Sequence, residues 1–297
     1  MLPKLIVVEG TTASGKSDFG VELALRYGGE IISADSRQVF RGLDLGSGKI
    51  TPEETRGVPH HLIDVCDAGS FFSMADYQKL AYEAIDGVIA RGRIPFLVGG
   101  TGLYVASVAD GYVMSDRMPD LEYRAELEKL TTEELYVMLR SLVPDTDVDP
   151  RNRNRVMRVL EKIHDGDDVT PTKQARYDTL RLGVTWDRAV VRQRIDERLD
   201  RRIELGMIEE VKGLLDTGVS EEYMIKLGLE YKFVTQYLRG DYSSLEEMKA
   251  LLATAIKQFA KRQMIWFRRD PSIQWLDMTG DPVGEACRRI DAFLQKE

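Results

Sequence analysis

The sequence is poor in three things that would each narrow its role. Its 297 residues hold two cysteines, Cys66 and Cys287, too few and too far apart for a disulfide framework or a cysteine-held zinc site. It has no apolar run near the ~18 residues of a membrane helix, so no membrane partner is expected. Basic residues are outnumbered, 41 Lys and Arg against 49 Asp and Glu, for a net charge of −8. That balance weighs against a uniformly basic nucleic-acid binder but leaves local basic faces open. The scarce cysteines, and a start at Met1-Leu2-Pro3-Lys4 without a basic, apolar leader, place the chain in the cytoplasm as an expectation. The remainder, 43% hydrophobic and 30% charged, is ordinary globular material.

Strand and helix signals alternate over the first ~110 residues. Leu5–Val8, Glu30–Ser33, His61–Val65 and Ile94–Val98 read as strands, and Lys16–Tyr27 and Met74–Ala90 as helices. Such alternation predicts a parallel, doubly wound α/β sheet. Residues 116–175 are polar and helix-prone, with loop signals at Val143-Pro144-Asp145 and Asp165-Gly166-Asp167-Asp168. The expected organisation is a P-loop NTPase-like core of 1–115 and 176–297, its parallel sheet flanked by helices, carrying a small all-helical insertion domain at 116–175. A returning strand is expected at Leu180–Val184, helices at about 187–217, 221–239 and 244–268, a strand at Ile273–Leu276, and a last helix from about 282.

The strongest chemical signal is Gly10-Thr11-Thr12-Ala13-Ser14-Gly15-Lys16-Ser17, a complete G-x-x-x-x-G-K-[ST] between a strand and a helix. Its amides and helix N-terminus form an anion cradle, Lys16 neutralises phosphate oxygens, and the Ser17 hydroxyl joins the shell of a bound Mg²⁺. The motif alone does not say what becomes of the ligand. Asp35 follows an apolar strand at the sheet's carboxyl edge, where open α/β sheets bind ligands. Position leaves three roles open to it: holding Mg²⁺ through water, acting as a general base, or capping a helix that starts at Ser36. His60 and His61 read as packing residues. Gly99-Gly100-Thr101-Gly102 is a second glycine-rich turn that brings the Thr101 hydroxyl near the P-loop, and no acid ends that strand as in many ATPases.

Two stretches run against the acidic balance. One holds Arg151, Arg153, Arg155, Arg158 and Lys162; the other holds Lys257, Lys261, Arg262, Arg268 and Arg269 with Trp266 and Phe267 between them. Basic density with aromatics suits a polyanionic partner. Arg192, Arg194, Arg198, Arg201 and Arg202 are interleaved with Asp196, Glu197 and Asp200, a pattern that predicts a salt-bridged helix with one arginine able to reach a phosphate.

Taken in order, the blocks Gly10–Ser17, Ile32–Phe40, Pro59–Asp64, Phe72–Tyr77, Gly92–Tyr104 and Gln258–Arg268 resemble the tRNA dimethylallyltransferase (isopentenyltransferase) family over nearly the whole chain. The resemblance implies prenyl transfer from dimethylallyl diphosphate to N6 of the adenosine next to the anticodon, position 37, of tRNA. Mg²⁺ is the implied cofactor, tRNA and dimethylallyl diphosphate the implied partners, and a monomer the expected state. It implies that Gly10 to Ser17 bind diphosphate, that Asp35 is the general base, and that Lys16, Thr101 and Arg198 serve the leaving group. It further implies tRNA contacts from Asp35, Ser36, Arg37, Gln38 and Thr101 along the base's channel. Arg124, Asn154, Arg155, Val156, Met157 and Arg158 would hold tRNA from the insertion domain.

Two departures stand out. Thr11 replaces the family's usual proline, and the usual Gly-Tyr-Lys tRNA-contacting turn reads Lys226-Leu227-Gly228-Leu229-Glu230-Tyr231-Lys232, with two residues between glycine and tyrosine. Competing readings are prenylation of free adenine nucleotides, a P-loop small-molecule kinase, and a nucleotide-gated RNA-binding switch. The insertion and the basic run Lys257–Arg269 favour tRNA over a free nucleotide.

Overall fold

The computed structural model describes residues 2–114, 120–167 and 172–296. It divides into a larger unit, Met1–Gly111 with Ala175–Glu297, and a smaller one, Tyr112–Gln174. The boundary expected at 115/116, and Asp168 of the expected loop, lie outside the described residues.

In the larger unit, β1 (Lys4–Gly10), α1 (Lys16–Tyr27), β2 (Glu30–Ser33), β3 (Phe40–Arg41), β4 (His60–His61), β5 (Cys66–Asp67), α2 (Met74–Ala90), β6 (Pro95–Gly99) and α3 (Gly102–Ala109) come first. The smaller unit holds α4 (Leu121–Glu128), α5 (Thr132–Leu142) and α6 (Arg153–His164). The chain then returns through β7 (Asp178–Thr185), α7 (Arg188–Glu204), α8 (Met207–Asp216), α9 (Glu221–Leu227), α10 (Leu229–Leu238), α11 (Leu245–Phe267), β8 (Gln274–Asp277) and α12 (Pro282–Leu294).

Six strands form one parallel sheet in the order β4-β2-β6-β1-β7-β8, and β3 pairs with β5 beside it. The runs Leu5–Val8 and Phe96–Val98 are apolar throughout because helices cover both faces of a parallel sheet. One face buries Ile6, Val8, Phe96 and Leu182 with α1 and α12; the other buries Leu5, Val7, Ile32 and Leu97 with α2 and α3. Near the carboxyl end of β1, Glu9 is fully buried and bonds Arg181 of β7 through both carboxylate oxygens at 2.8 Å. Burial pushes the Glu9 carboxyl up, and Arg181 opposes this. The pair fixes two central strands beneath the P-loop.

Three expectations change. The strand expected at His61–Val65 stops at His61, because Leu62 and Asp64 take left-handed φ values of 65° and 56°. The helix expected over 187–217 breaks between α7 and α8. The one expected over 221–239 breaks at Gly228, whose φ of 77° no helical residue adopts.

The smaller unit has its own core of Leu127, Leu135, Leu139, Val156, Met157 and Leu160. Thr131 and Glu134 form a reciprocal capping box at the start of α5, and Asn152 caps α6 by accepting from the Arg155 amide at 3.1 Å.

Candidate active site

At the carboxyl end of β1 the chain turns through Gly10–Gly15 into α1. No side chain caps that helix, so its first amides stay open to an anion. The loop is clasped from behind: Trp186 Nε1 donates to Ser14 O at 2.8 Å, and Arg194 Nε donates to Ala13 O at 2.9 Å. With those carbonyls engaged, the loop presents amides rather than oxygens to a ligand. Thr11 is buried, and the Ser14 hydroxyl has no partner among the described residues.

Gln263 of α11 locks this loop to the second glycine turn. Its Oε1 accepts from the Thr12 amide at 2.8 Å, and its Nε2 donates to Gly100 O at 2.7 Å. A Cβ on Gly102 would lie 2.3 Å from the Trp266 ring, so the turn admits the indole only because residue 102 is glycine. A cleft of about 440 Å³ opens between these parts, lined by Lys16, Ser17, Asp35, Thr101, Arg198 and Trp266 among others.

Cations collect at its P-loop end. Lys16 is lowered to about 8, first by burial and then by Arg198 and Arg202, against the pull of Asp35. Arg198 donates to the Thr12 hydroxyl and is likewise lowered by burial and by Arg202. Buried like charges repel strongly, and a bound polyanion relieves that repulsion.

Asp35 and Thr101 line the same cleft. Asp35 Oδ1 accepts from the Arg37 amide at 2.9 Å, closing a turn; no helix begins at Ser36, so the helix-cap role does not apply. The Thr101 hydroxyl accepts from the Ser36 amide at 3.0 Å and lies 3.3 Å from the Ser36 hydroxyl, tying the Asp35 turn to the β6–α3 turn. Arg37 donates to Leu227 O, and Gln38 Nε2 donates to Gly48 O at 3.1 Å. The structure thus brings Lys16, Ser17, Asp35, Ser36, Arg37, Gln38, Thr101 and Arg198 around one cleft.

A Mg²⁺ ion suits this donor set. Among the described residues no cluster of three or more His, Cys, Asp or Glu could hold a metal by itself. Mg²⁺ bound to phosphates commonly takes few protein ligands, and Ser17 and Asp35 both line the cleft.

The insertion candidates form a separate group in the smaller unit. Asn154, Arg155 and Arg158 are exposed on α6; Arg124 pairs with buried Glu161 at 2.7 Å, and Arg158 reaches the same carboxylate at 3.3 Å. Val156 and Met157 bury their side chains in that unit's core, so a tRNA contact at these positions would fall to their backbone. In the 226–232 segment, Tyr231 is buried and donates to Glu210 at 3.2 Å.

His60 and His61 do pack structurally, against Val58 O and the Glu30 carboxylate. In the second basic run Lys257 pairs with Asp196 at 2.6 Å, Phe267 is buried, and Lys261, Arg262, Arg268 and Arg269 are exposed. Sequence reasoning gave no individual role to Trp186 or Gln263 and read Arg194 and Arg202 as part of a salt-bridged helix. The i, i+4 spacing of Arg194, Arg198 and Arg202 was the available signal for these arginines.

Comparison with known proteins bears on this geometry. The profile of a family described as IPP transferase matches residues 38–270, a span that begins after the P-loop. The chain is 44% identical over 292 residues to tRNA dimethylallyltransferase 2 of Syntrophotalea carbinolica, covering 95% of this chain and 97% of that one. It is 45% identical to the Shewanella sediminis protein of the same name, over 95% and 96%. Among solved structures it is similar to the full-length tRNA isopentenylpyrophosphate transferase of Bacillus halodurans, with TM-score 0.76, 39% identity, and 97% and 96% coverage. A eukaryotic dimethylallyltransferase acting on tRNA matches with TM-score 0.83 at 26% identity, over 97% of this chain and 78% of that one.

Proposed function

Because the chain belongs to the IPP transferase family, we propose that it transfers a dimethylallyl group from dimethylallyl diphosphate to N6 of the adenosine at position 37 of tRNA, releasing diphosphate. The observation that carries this reading is one cleft that gathers the P-loop, Lys16 and Arg198, suited to a leaving diphosphate, together with Asp35, a carboxylate suited to take an amine proton.

In the transfer, the N6 lone pair attacks the allylic carbon and the carbon–oxygen bond breaks. The electron pair departs with the diphosphate, and the N6 proton passes to the Asp35 carboxylate. An exocyclic adenine amine is a weak nucleophile, so removing its proton as the bond forms lowers the barrier. Charge grows on the diphosphate oxygens, which the loop amides, Lys16 and Arg198 stabilise. Ser17, with Asp35, would hold a Mg²⁺ ion, which would supply further charge neutralisation to the leaving diphosphate. Thr101 keeps the Asp35 turn against the β6–α3 turn, while Ser36, Arg37 and Gln38 shape the entry for a base drawn out of its stack. Arg124, Asn154, Arg155 and Arg158 provide cationic and polar contacts for the tRNA backbone. We place the reaction in the cytoplasm and carried out by a single chain.

Radiolabelled dimethylallyl diphosphate with Mg²⁺ is expected to label unmodified tRNA bearing adenosines 3′ of the anticodon. Label appearing only in free AMP, or in neither, contradicts the proposal. Asp35→Ala should lower kcat by about 10²–10⁴-fold while tRNA affinity stays near wild type. A defect confined to tRNA binding would remove Asp35 from the base role.

A further inference from the structure

We infer that Arg202 is a third cation of the diphosphate pocket and that buried Glu230 positions it; the inference rests on the prenyl-transfer reading above. Arg194, Arg198 and Arg202 follow one another by a turn along α7, so all three leave the same helix face. Arg194 ends on a P-loop carbonyl and Arg198 on the Thr12 hydroxyl. Arg202 lines the same cleft and is 9% exposed. Among the described residues its guanidinium makes two long hydrogen bonds, 3.3 Å to Glu230 Oε1 and 3.5 Å to Gly46 O. A guanidinium carries five N–H donors in a planar fork that matches paired phosphate oxygens, so donors remain for an anion.

The surroundings are shaped to this side chain. At Gly48, φ is +63° and a Cβ would fall 1.5 Å from Arg202 Nη2, so any other residue there would displace the guanidinium. Glu230 is 8% exposed, and a carboxylate so near an anion site opposes binding unless it serves a cation. It faces Arg202, and its charge offsets the repulsion that Arg202 imposes on Arg198. Glu230 is also one of the two residues separating Gly228 from Tyr231, so that departure in sequence supplies the partner of Arg202.

The test is calorimetric titration of the whole protein with inorganic pyrophosphate and MgCl₂, beside steady-state transfer. Arg202→Met should weaken pyrophosphate about tenfold and raise the KM for dimethylallyl diphosphate similarly, with the KM for tRNA unchanged within about twofold. Glu230→Ala should weaken pyrophosphate severalfold alone but not further in an Arg202→Met background, and Glu230→Gln, which keeps an acceptor oxygen, should restore most of the affinity. Arg202→Lys, expected to weaken binding by a smaller factor, carries the test if the Met variant does not melt cooperatively. Wild-type pyrophosphate affinity in a folded Arg202 variant overturns the proposal, as does an equal Glu230→Ala effect with and without Arg202. If wild type binds pyrophosphate but does not prenylate tRNA, the transfer reading fails and the assignment of Arg202 to an anion pocket stands.

Discussion

Helices α6 and α7 both carry dense arginine, and they use it in opposite ways. On α6, Arg155 and Arg158 are exposed, while Val156, Met157 and Leu160 turn inward to form the small unit's core. On α7 the apolar Ile195 and Leu199 are buried, yet Arg198 and Arg202 also point inward, to a cleft floored by the P-loop. Charge density alone ranks α6 as the polyanion-binding helix and α7 as a solvated, salt-bridged one. The difference lies in what each helix packs against. An arginine beside an apolar core must emerge to water, whereas one beside a loop of open amides can turn inward toward it.

This contrast can be broken at its strong end first. Arg198→Ala should lower kcat/KM for dimethylallyl diphosphate by about 10²–10³-fold, the loss typical of one charge-stabilising donor at a developing anion. The KM for tRNA should stay near wild type; an equal loss on tRNA would erase the distinction between the helices.

Lys16 sharpens the same end by pH. Burial lowers its pKa to about 8, so the free site holds the proton below that pH and loses it above. A bound anion favours the charged form, so donor affinity should be full below about pH 8 and decline as pH rises through it. Lys16→Met should bind weakly and lack that alkaline limb in a titration of dimethylallyl diphosphate. A wild-type profile flat to pH 10 would contradict the assignment.

On α6 the expected losses are of another kind. Val156→Ala should destabilise the small unit by about 2 kcal/mol through a core cavity, seen as earlier thermal unfolding, with transfer chemistry intact at low temperature. Arg155→Ala and Arg158→Ala should each weaken tRNA only a few-fold and lower the slope of log affinity against log salt by about one. A large drop in kcat from either would move α6 arginines into the chemistry.

Much of the fold was legible because its signals are local. Buried parallel strands are continuous apolar runs, and α1 and α2 occupy the residues where helical pattern placed them. The P-loop motif falls between β1 and α1, the strand and helix its pattern requires. The strand at His61 stopped early because Leu62 and Asp64 adopt left-handed φ, which neither residue type announces. The inward face of α7 was hidden because opposite charges at neighbouring positions mimic surface ion pairs. Val156 and Met157 sit within an exposed arginine run, yet their spacing with Leu160 marks a core face.

The account's central claim is that the P-loop holds a leaving diphosphate rather than a phosphoryl donor. Its most direct test counts the pyrophosphate released as dimethylallyl enters tRNA, with Mg²⁺ present and ATP absent. One pyrophosphate for each prenyl group transferred is the predicted result. A requirement for ATP, with orthophosphate appearing instead, would contradict it.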